Sequence, residues 1–137
     1  MEYLSGFGVA VIPAVLALTE QQAVAAAVKF GDAVALKIAS PDIAHKSDIG
    51  GVVLNAIGAD AVARGFRTIR DNVLRARPDV DVDGILVSPM RCGGVELYVG
   101  VKRDSQWGPV IAVGLGGVWI EALQDVSLRL LPVEQGD

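Results

Sequence analysis

Hydrophobic and polar positions alternate in blocks along this chain, and the blocks predict its secondary structure. Short apolar runs rich in β-branched residues predict strands at 7–12, 33–39, 51–56, 84–88, 96–102 and 110–113. Pro13 closes the first run, and Gly93-Gly94 and residues 104–108 predict hairpin turns between the last three. A helix is expected from about Ile120. The pattern as a whole predicts a mixed α+β fold with sheets rich in antiparallel strands.

Two longer helices are predicted between these strands. The first opens at Thr19, whose hydroxyl can cap the first turn, and Gln22 three residues later completes a capping-box pattern. Gly31 suits a left-handed C-terminal cap. The second helix begins near Asp60 and ends before Pro78. Its apolar positions have the i, i+4, i+7, i+11 spacing of one helix face: Val62, Phe66, Ile69 and Val73.

Composition narrows the class of protein. The chain has 137 residues, which fits one domain, and 52% of them are hydrophobic. Its net charge of −4 argues against a nucleic-acid partner, which would require a basic surface. Cys92 is the only cysteine, which excludes an intrachain disulfide and fits a cytoplasmic protein. No apolar run approaches the roughly 20 residues of a membrane span.

A lysine inside an apolar strand is the first sign of chemistry. Lys37 interrupts the run at 33–39, where a charge must be paired or lie near an opening, although it could also simply extend its ammonium to water. The polar loop that follows combines cations, a hydroxyl donor and glycines, which together suit a phosphate anion. These loop residues are His45, Lys46, Ser47, Gly50 and Gly51. The Walker sequence is absent.

His45 is the only histidine in the chain. A single histidine usually has a packing role, but this one lies in a polar loop between Asp42 and Asp48. An imidazole beside a phosphate site can accept a phosphoryl group as a nucleophile. A metal site is not indicated, because His45 and Cys92 are far apart in the sequence and form no ligand cluster.

The segment ALKIASPDIAHKSDIGGVVLN, residues 35–55, resembles the signature of the ADP-forming acyl-CoA synthetases, which are related to the succinyl-CoA synthetase β subunit. GILVSPM (84–90) and the stretch 94–132 agree with the same family in the same order. The resemblance implies an α+β ATP-grasp domain that is incomplete at its C-terminal end. We expect residues 1–77 to carry the lysine and the glycine loop, and residues 78–137 the hinge and a strand-rich part.

The resemblance also implies roles for individual residues. Lys37 would contact the nucleotide phosphates, and His45 would carry the phosphoryl group between acyl phosphate and ADP. The glycine loop over the phosphates would consist of Lys46, Ser47, Gly50 and Gly51. The hinge against the adenine would consist of Val87, Ser88, Pro89 and Met90. Glu96 would lie near the nucleotide, and Glu121 and Asp125 are weaker candidates for the magnesium side.

In that family the enzyme is an acid–thiol ligase that uses ATP/ADP and Mg²⁺. Coenzyme A would bind only through other parts of the enzyme, so the expected partners are CoA-binding and ligase domains or subunits. An incomplete domain would also expose apolar surface, which favours a homo-oligomer. Two alternatives stay open: a regulatory ATP-grasp module of a protein lysine acetyltransferase, and an inert isolated fragment that binds nucleotide weakly or not at all.

Overall fold

The chain forms two compact units. The computed structural model describes residues 2–117, 126–134 and 136, and its units comprise Met1–Arg91 and Cys92–Asp137. The division lies later in the chain than the boundary expected after residue 77. The physical reason is that the strand Gly84–Pro89 pairs with strands of the first unit.

The first unit is a four-stranded sheet with two long helices. Its elements in chain order are α1 (Glu2–Ser5), β1 (Val15–Ala17), α2 (Glu20–Phe30), β2 (Val34–Ala39), β3 (Val52–Ala56), α3 (Gly58–Ala76) and β4 (Gly84–Pro89). The strand order is β1-β4-β2-β3, and every pairing is antiparallel. The mixed α+β class predicted from the sequence is therefore confirmed, and β2 lies in the interior of the sheet.

The strand predicted at 7–12 is wrong. β1 begins only after Pro13, where Val15 pairs with Val87 and Ala17 with Ile85. The apolar character of 7–12 indicated burial, yet five of its six residues are exposed and none pairs in a sheet. The strand forms a few residues later than predicted, because residues 15–17 are the ones that pair with the backbone of β4.

Both long helices have the ends and faces that the pattern predicted. The Thr19 hydroxyl accepts a hydrogen bond from the backbone N–H of Gln22 at 3.2 Å, and Gly31 takes a left-handed φ of 79°. The four stripe residues of α3 are at most 3% exposed and pack on the sheet. A Cβ on Gly65 would lie 3.2 Å from Val53, so the small residue lets α3 approach the sheet closely.

The second unit is a three-stranded antiparallel sheet of β5 (Leu97–Asp104), β6 (Gly108–Leu115) and β7 (Val126–Leu130), in that order. The hairpin predicted at 104–108 is confirmed, since Asp104 pairs with Gly108. The hairpin predicted at Gly93-Gly94 is wrong, because β4 and β5 belong to different sheets and do not pair. The helix expected from Ile120 lies largely outside the described residues, and β7 was not predicted.

Across the part of the chain that the structure describes, no helix combines the length and the apolar character that crossing a membrane would require.

Candidate functional site

Lys37 is the single exposed residue of β2. Its sequence neighbours Leu36 and Ile38 are fully buried in the core shared with the helices. Because side chains alternate across a strand, Lys37 projects from the opposite face of the sheet. Its backbone pairs with Val52 on one side and Leu86 on the other, so the Cα of Lys37 is fixed on an interior strand.

The loop between β2 and β3, residues 40–51, is here named the histidine segment. Ser40 fixes the amino end of this segment. Its buried hydroxyl donates a hydrogen bond to the Asp81 carbonyl at 2.6 Å and accepts one from the Asp42 N–H at 3.3 Å. Ile43, three residues later, is 4% exposed and joins the hydrophobic core. The segment therefore leaves the sheet from a firmly attached base.

The two glycines fix the other end of the histidine segment. Gly50 has a φ of 66°, and a Cβ there would lie 2.5 Å from the amide nitrogen of Asn72. A Cβ on Gly51 would lie 2.8 Å from both Ile38 Cγ2 and the Lys46 carbonyl oxygen. Both positions favour glycine, because a Cβ at Gly51 would meet Ile38 and the Lys46 backbone, and a Cβ at Gly50 would require a left-handed φ and a displaced Asn72 amide.

The N–H groups of the glycines are used within the loop. Gly50 donates to the Ser47 carbonyl at 3.1 Å, and Gly51 donates to the Lys46 carbonyl at 2.8 Å. In this conformation the glycines shape the segment, and an anion would be met by the side chains that the segment presents. The amide of Asn72 adds a hydrogen bond to the Gly50 carbonyl at 3.2 Å.

A cavity of about 450 Å³ joins the lysine to the histidine segment. It brings together four of the site residues predicted from the sequence, and its lining consists of Lys37, Ala44, His45, Lys46, Ser47, Asp48, Val52 and Leu54. His45 is exposed at its edge. Two lysines against one aspartate give the cavity a positive balance, which suits a phosphate group.

Lys46 holds its position in part through a hydrogen bond of its ammonium group to the Ile43 carbonyl at 3.3 Å. Among residues 2–117, 126–134 and 136, no three histidine, cysteine or acidic side chains converge in a way that could hold a metal ion. The described residues therefore supply cations and an imidazole to this cavity, and no ready-made metal site.

The predicted hinge lies at the end of β4. Val87 is fully buried and pairs with Leu36, Ser88 pairs with Ala35, and the N–H of Met90 donates to the Ala33 carbonyl at 2.8 Å. Pro89 pairs with Val34. None of these four hinge residues lines the cavity around Lys37.

Glu96 belongs to the second unit. Its backbone carbonyl accepts from the N–H of Gly116 at 2.7 Å, and its carboxylate lies where a Cβ on Gly117 would be. Gly117 has a φ of 65°, so the turn and the carboxylate fit together only with glycine. Glu121 and Asp125 lie outside the described residues.

Sequence reasoning missed Ser40 and Asn72. Asn72 stands beside the apolar stripe of α3 and looks like an ordinary surface position until the fold brings Gly50 to it. Ser40 ends a strand, as many serines do. The sequence offered no separate signal for either, because both act through partners distant in the chain.

A strand lysine, a glycine-closed loop and an exposed imidazole thus surround one cationic cavity, whose charge and donors suit a phosphate group. The ATP-grasp domain family matches residues 1–137, and the chain belongs to the ATP-grasp domains of the ADP-forming acetyl-CoA synthetase (acetate–CoA ligase) family.

Two relatives illustrate the match. The ADP-forming acetate–CoA ligase I of Archaeoglobus fulgidus is 44% identical over 130 residues, which cover 95% of this chain and 19% of that protein. The β subunit of the ADP-forming acetate–CoA ligase I of Pyrococcus furiosus is 40% identical over 136 residues, 99% of this chain and 59% of the subunit. The chain thus spans about a fifth to three fifths of these relatives.

Solved structures of a Candidatus Korarchaeum cryptofilum acetyl-coenzyme A synthetase are similar to this chain in fold and sequence. The complex with coenzyme A, Ca-AMPCP and HgCl⁺ has a TM-score of 0.91 and 41% identity, covering 97% of this chain and 58% of that one. A complex with a phosphorylated phosphohistidine segment in site I orientation has a TM-score of 0.82, 38% identity and coverages of 97% and 57%. A Mg-AMPPCP complex, with that segment pointing towards the nucleotide site, has a TM-score of 0.75, 36% identity and coverages of 97% and 55%.

Proposed function

We propose that this chain is the nucleotide-binding part of an ADP-forming acyl-CoA synthetase, and that His45 carries a phosphoryl group between acyl phosphate and ADP. One observation carries the proposal: the only histidine of the chain and the interior-strand lysine Lys37 line the same cationic cavity. The net reaction would be acyl-CoA + ADP + phosphate ⇌ acid + CoA + ATP.

The phosphoryl group would be transferred in two steps, first to His45 and then to ADP. A neutral ring nitrogen of His45 attacks the phosphorus of acyl phosphate, the N–P bond forms, and the acid leaves with the electron pair of the broken P–O bond. A terminal oxygen of the ADP β-phosphate then attacks the same phosphorus. The N–P bond breaks, ATP forms, and the electron pair returns to the imidazole.

The lysines would supply the charge that this step needs. A phosphoryl group on His45 brings about two negative charges into the cavity, as phosphorylation of a side chain does near neutral pH. The backbone of Lys37 is paired on both sides, and its exposed ammonium group would turn toward the phosphate, whereas Lys46 would exchange its hydrogen bond to the Ile43 carbonyl for one to a phosphate oxygen. Magnesium bound with the nucleotide would offset further phosphate charge.

The remaining site residues complete the proposal. Ser47 would donate its hydroxyl to a phosphate, the backbone of 87–90 would meet the adenine, and Glu96 would face the nucleotide. Glu121 and Asp125 would lie on the magnesium side. Gly50 and Gly51 would act by shaping the histidine segment.

The relatives support two further proposals, one about partner subunits and one about motion of the histidine segment. The Pyrococcus furiosus relative is named as a β subunit, so we infer CoA-binding and ligase partners for this chain as well. The two orientations described for the Korarchaeum phosphohistidine segment support a segment that travels between two sites. His45 is exposed in this chain, as such travel would require.

Isotope exchange between ADP and ATP tests the proposal. In the ligase that carries this chain, a phosphohistidine intermediate lets label pass between ADP and ATP without acid or CoA. We expect His45→Ala to abolish this exchange. Lys37→Ala should slow it by about 10²–10³-fold, since one charge on the transferring group is lost.

Lys29→Ala is the matched control, because Lys29 is an exposed lysine on α2 outside the cavity. It should leave the exchange unchanged. Full exchange in the His45→Ala enzyme would refute the carrier role. Nucleotide binding with no exchange in the native enzyme would instead favour a regulatory module.

A further inference from the structure

We propose that Asn72 is a positioning residue that latches the carboxyl end of the histidine segment and so restricts the conformations that this segment, with His45 in it, can adopt. The inference rests on the proposed carrier role of His45. It concerns a residue on a different element, one that does not line the cavity around Lys37.

The latch is a single hydrogen bond from a fixed helix to a glycine carbonyl. Asn72 lies between Ile69 and Val73, both of which are buried against the sheet, so its backbone cannot follow the loop. Its amide donates to the Gly50 carbonyl at 3.2 Å. The absence of a Cβ on Gly50 makes this approach possible, because that atom would be 2.5 Å from the Asn72 nitrogen.

Both ends of the histidine segment are attached to the first unit. At the amino end, the Ser40 hydroxyl donates to the Asp81 carbonyl, and Ile43 is 4% exposed in the core. At the carboxyl end, the Ile38 N–H donates to the carbonyl of the buried Gly51 at 2.8 Å, and Ile49 packs against the core. The Asn72 amide adds the side-chain contact that ties Gly50 to α3, so its loss would loosen the part of the segment that precedes Gly51.

The anchors limit the motion of His45. His45 is two residues from Ile43, so its Cα lies at most about 7 Å from that of Ile43, whatever happens at the carboxyl end. Release of Gly50 from Asn72 therefore changes the conformations open to residues 44–50 and the direction in which His45 faces, and leaves the length of its tether to Ile43 as it is. Asn72 thus limits the orientations that His45 takes at the Lys37 cavity.

Magnetic resonance on the whole 137-residue chain tests the latch directly, because the single histidine gives one ring Cε1–H signal. Asn72→Asp keeps the shape of the side chain but removes the donor. We expect amide hydrogen exchange at Gly50 and Gly51 to rise about tenfold, and the His45 signal to show new exchange broadening. Exchange at the buried strand β2 should stay as it is.

Thr68→Ala is the matched control, since Thr68 is exposed one turn earlier on α3. It should change neither readout. Unchanged exchange at Gly50 and Gly51, together with an unchanged His45 signal in Asn72→Asp, would overturn the latch.

A double substitution keeps the test decisive if Asn72→Asp unfolds the chain. Gly50→Ala places a Cβ against the Asn72 amide, and this clash disappears when Asn72 is alanine. We therefore expect Gly50→Ala to accelerate exchange in the segment less in the Asn72→Ala background than in the native one. Strictly additive effects would contradict direct contact between the two residues.

Kinetics of the ligase separate this inference from the proposed function. Asn72→Asp should lower kcat for ADP–ATP exchange about tenfold and leave KM for ADP unchanged, because Asn72 is not part of the cavity. If the native ligase shows no exchange while the resonance results hold, the carrier role fails and the latch survives. If exchange occurs but Asn72→Asp alters neither kcat nor the His45 signal, the latch fails alone.

Discussion

The two units differ in how they bury their apolar residues. All 16 buried core hydrophobics of the described chain lie in the first unit, between Ala17 and Val87. In the described part of the second unit, β5 exposes Leu97, Val99 and Val101 by 61–64% of their surface, and every residue of β7 is exposed. The first unit is thus stabilised by a core, whereas the second rests mainly on backbone pairing.

This difference explains where the candidate site is held. Lys37 and both anchors of the histidine segment are attached to the packed first unit, so their positions are fixed by the core beneath them. The second-unit sheet is apolar on both faces. Leu97, Val99 and Val101 occupy one face, while Leu128 and Leu130 occupy the other, because they pair in register with Ala112 and Val110.

The largest expected difference between the two units is the cost in unfolding free energy of truncating an apolar side chain. Leu36→Ala removes a fully buried side chain from β2 and should cost about 2–5 kcal/mol of the free energy of unfolding. Val101→Ala, at a position 63% exposed, should change it by no more than about 0.5 kcal/mol. During denaturant unfolding, circular dichroism follows the first unit, which holds α2 and α3, and the fluorescence of Trp107 follows the second unit, which holds Val101. Equal costs would contradict the comparison.

Gly51→Ala should have the next largest effect. The added Cβ would meet Ile38 and the Lys46 carbonyl at 2.8 Å, and overpacking of this kind costs about 1–3 kcal/mol. Gly93→Ala is an informative control, because nothing lies within 4 Å of a Cβ there and only its φ of 80° opposes the change. The same unfolding experiment measures both variants. A smaller loss of unfolding free energy in Gly51→Ala than in Gly93→Ala would contradict tight packing around Gly51.

Helix capping offers a smaller test within the first unit. Thr19→Ala deletes the oxygen that accepts from the Gln22 N–H and should destabilise by about 1 kcal/mol. Gln21→Ala, at an exposed helix position next to the cap, should be nearly neutral. The midpoint of thermal unfolding by circular dichroism checks the pair. A cap that made no contribution would give the two variants the same midpoint.

The smallest predicted effect is a pH dependence confined to the second unit. Backbone N–H groups of Trp107 and Gln106 bond to the Asp104 carboxylate at 3.0 and 2.9 Å and hold its pKa below the ordinary value. Because folding lowers this pKa, the stabilisation is complete above the ordinary carboxyl pKa. It is lost as the pH falls through the lowered folded value.

Tryptophan fluorescence follows this effect, since both tryptophans, Trp107 and Trp119, belong to the second unit. The acid-induced loss should weaken in Asp104→Asn, which keeps an acceptor oxygen but does not titrate. Asp79 is the counterpart in the first unit, where the Arg77 guanidinium lowers the pKa of the carboxyl. Asp79→Asn should leave the fluorescence titration unchanged. If it weakened the acid-induced loss as much as Asp104→Asn does, the loss would not originate at Asp104.

Local pattern was enough to predict most of the first unit. The α3 stripe, the Thr19 cap and the strand around Lys37 follow from periodicity and short-range hydrogen bonds, which the sequence displays directly. The errors fall where a distant partner decides. β1 takes its register from β4, and Gly93-Gly94 connects two sheets because β4 pairs with β1 and β2.

The site shows the same division. The sequence brought Lys37, His45, Lys46 and Ser47 to attention, and the fold places all four around one cavity. It could not indicate Asn72 or Ser40, whose partners Gly50 and Asp81 lie 22 and 41 residues away in the chain. Gly50 and Gly51 were expected in a loop over the phosphates, and in this structure their N–H groups bond to carbonyls of the loop itself.

Detection of phosphate on His45 tests the central claim most directly. The proposed ligase, with this chain as its nucleotide-binding part, would be treated with ATP labelled at the γ-phosphate and with Mg²⁺, then analysed by peptide mass spectrometry under alkaline conditions. We predict an acid-labile phosphate on His45 that disappears when ADP is added, with label recovered in ATP. Phosphate on another residue of this chain, or none on His45 while the ligase turns over, would contradict the account.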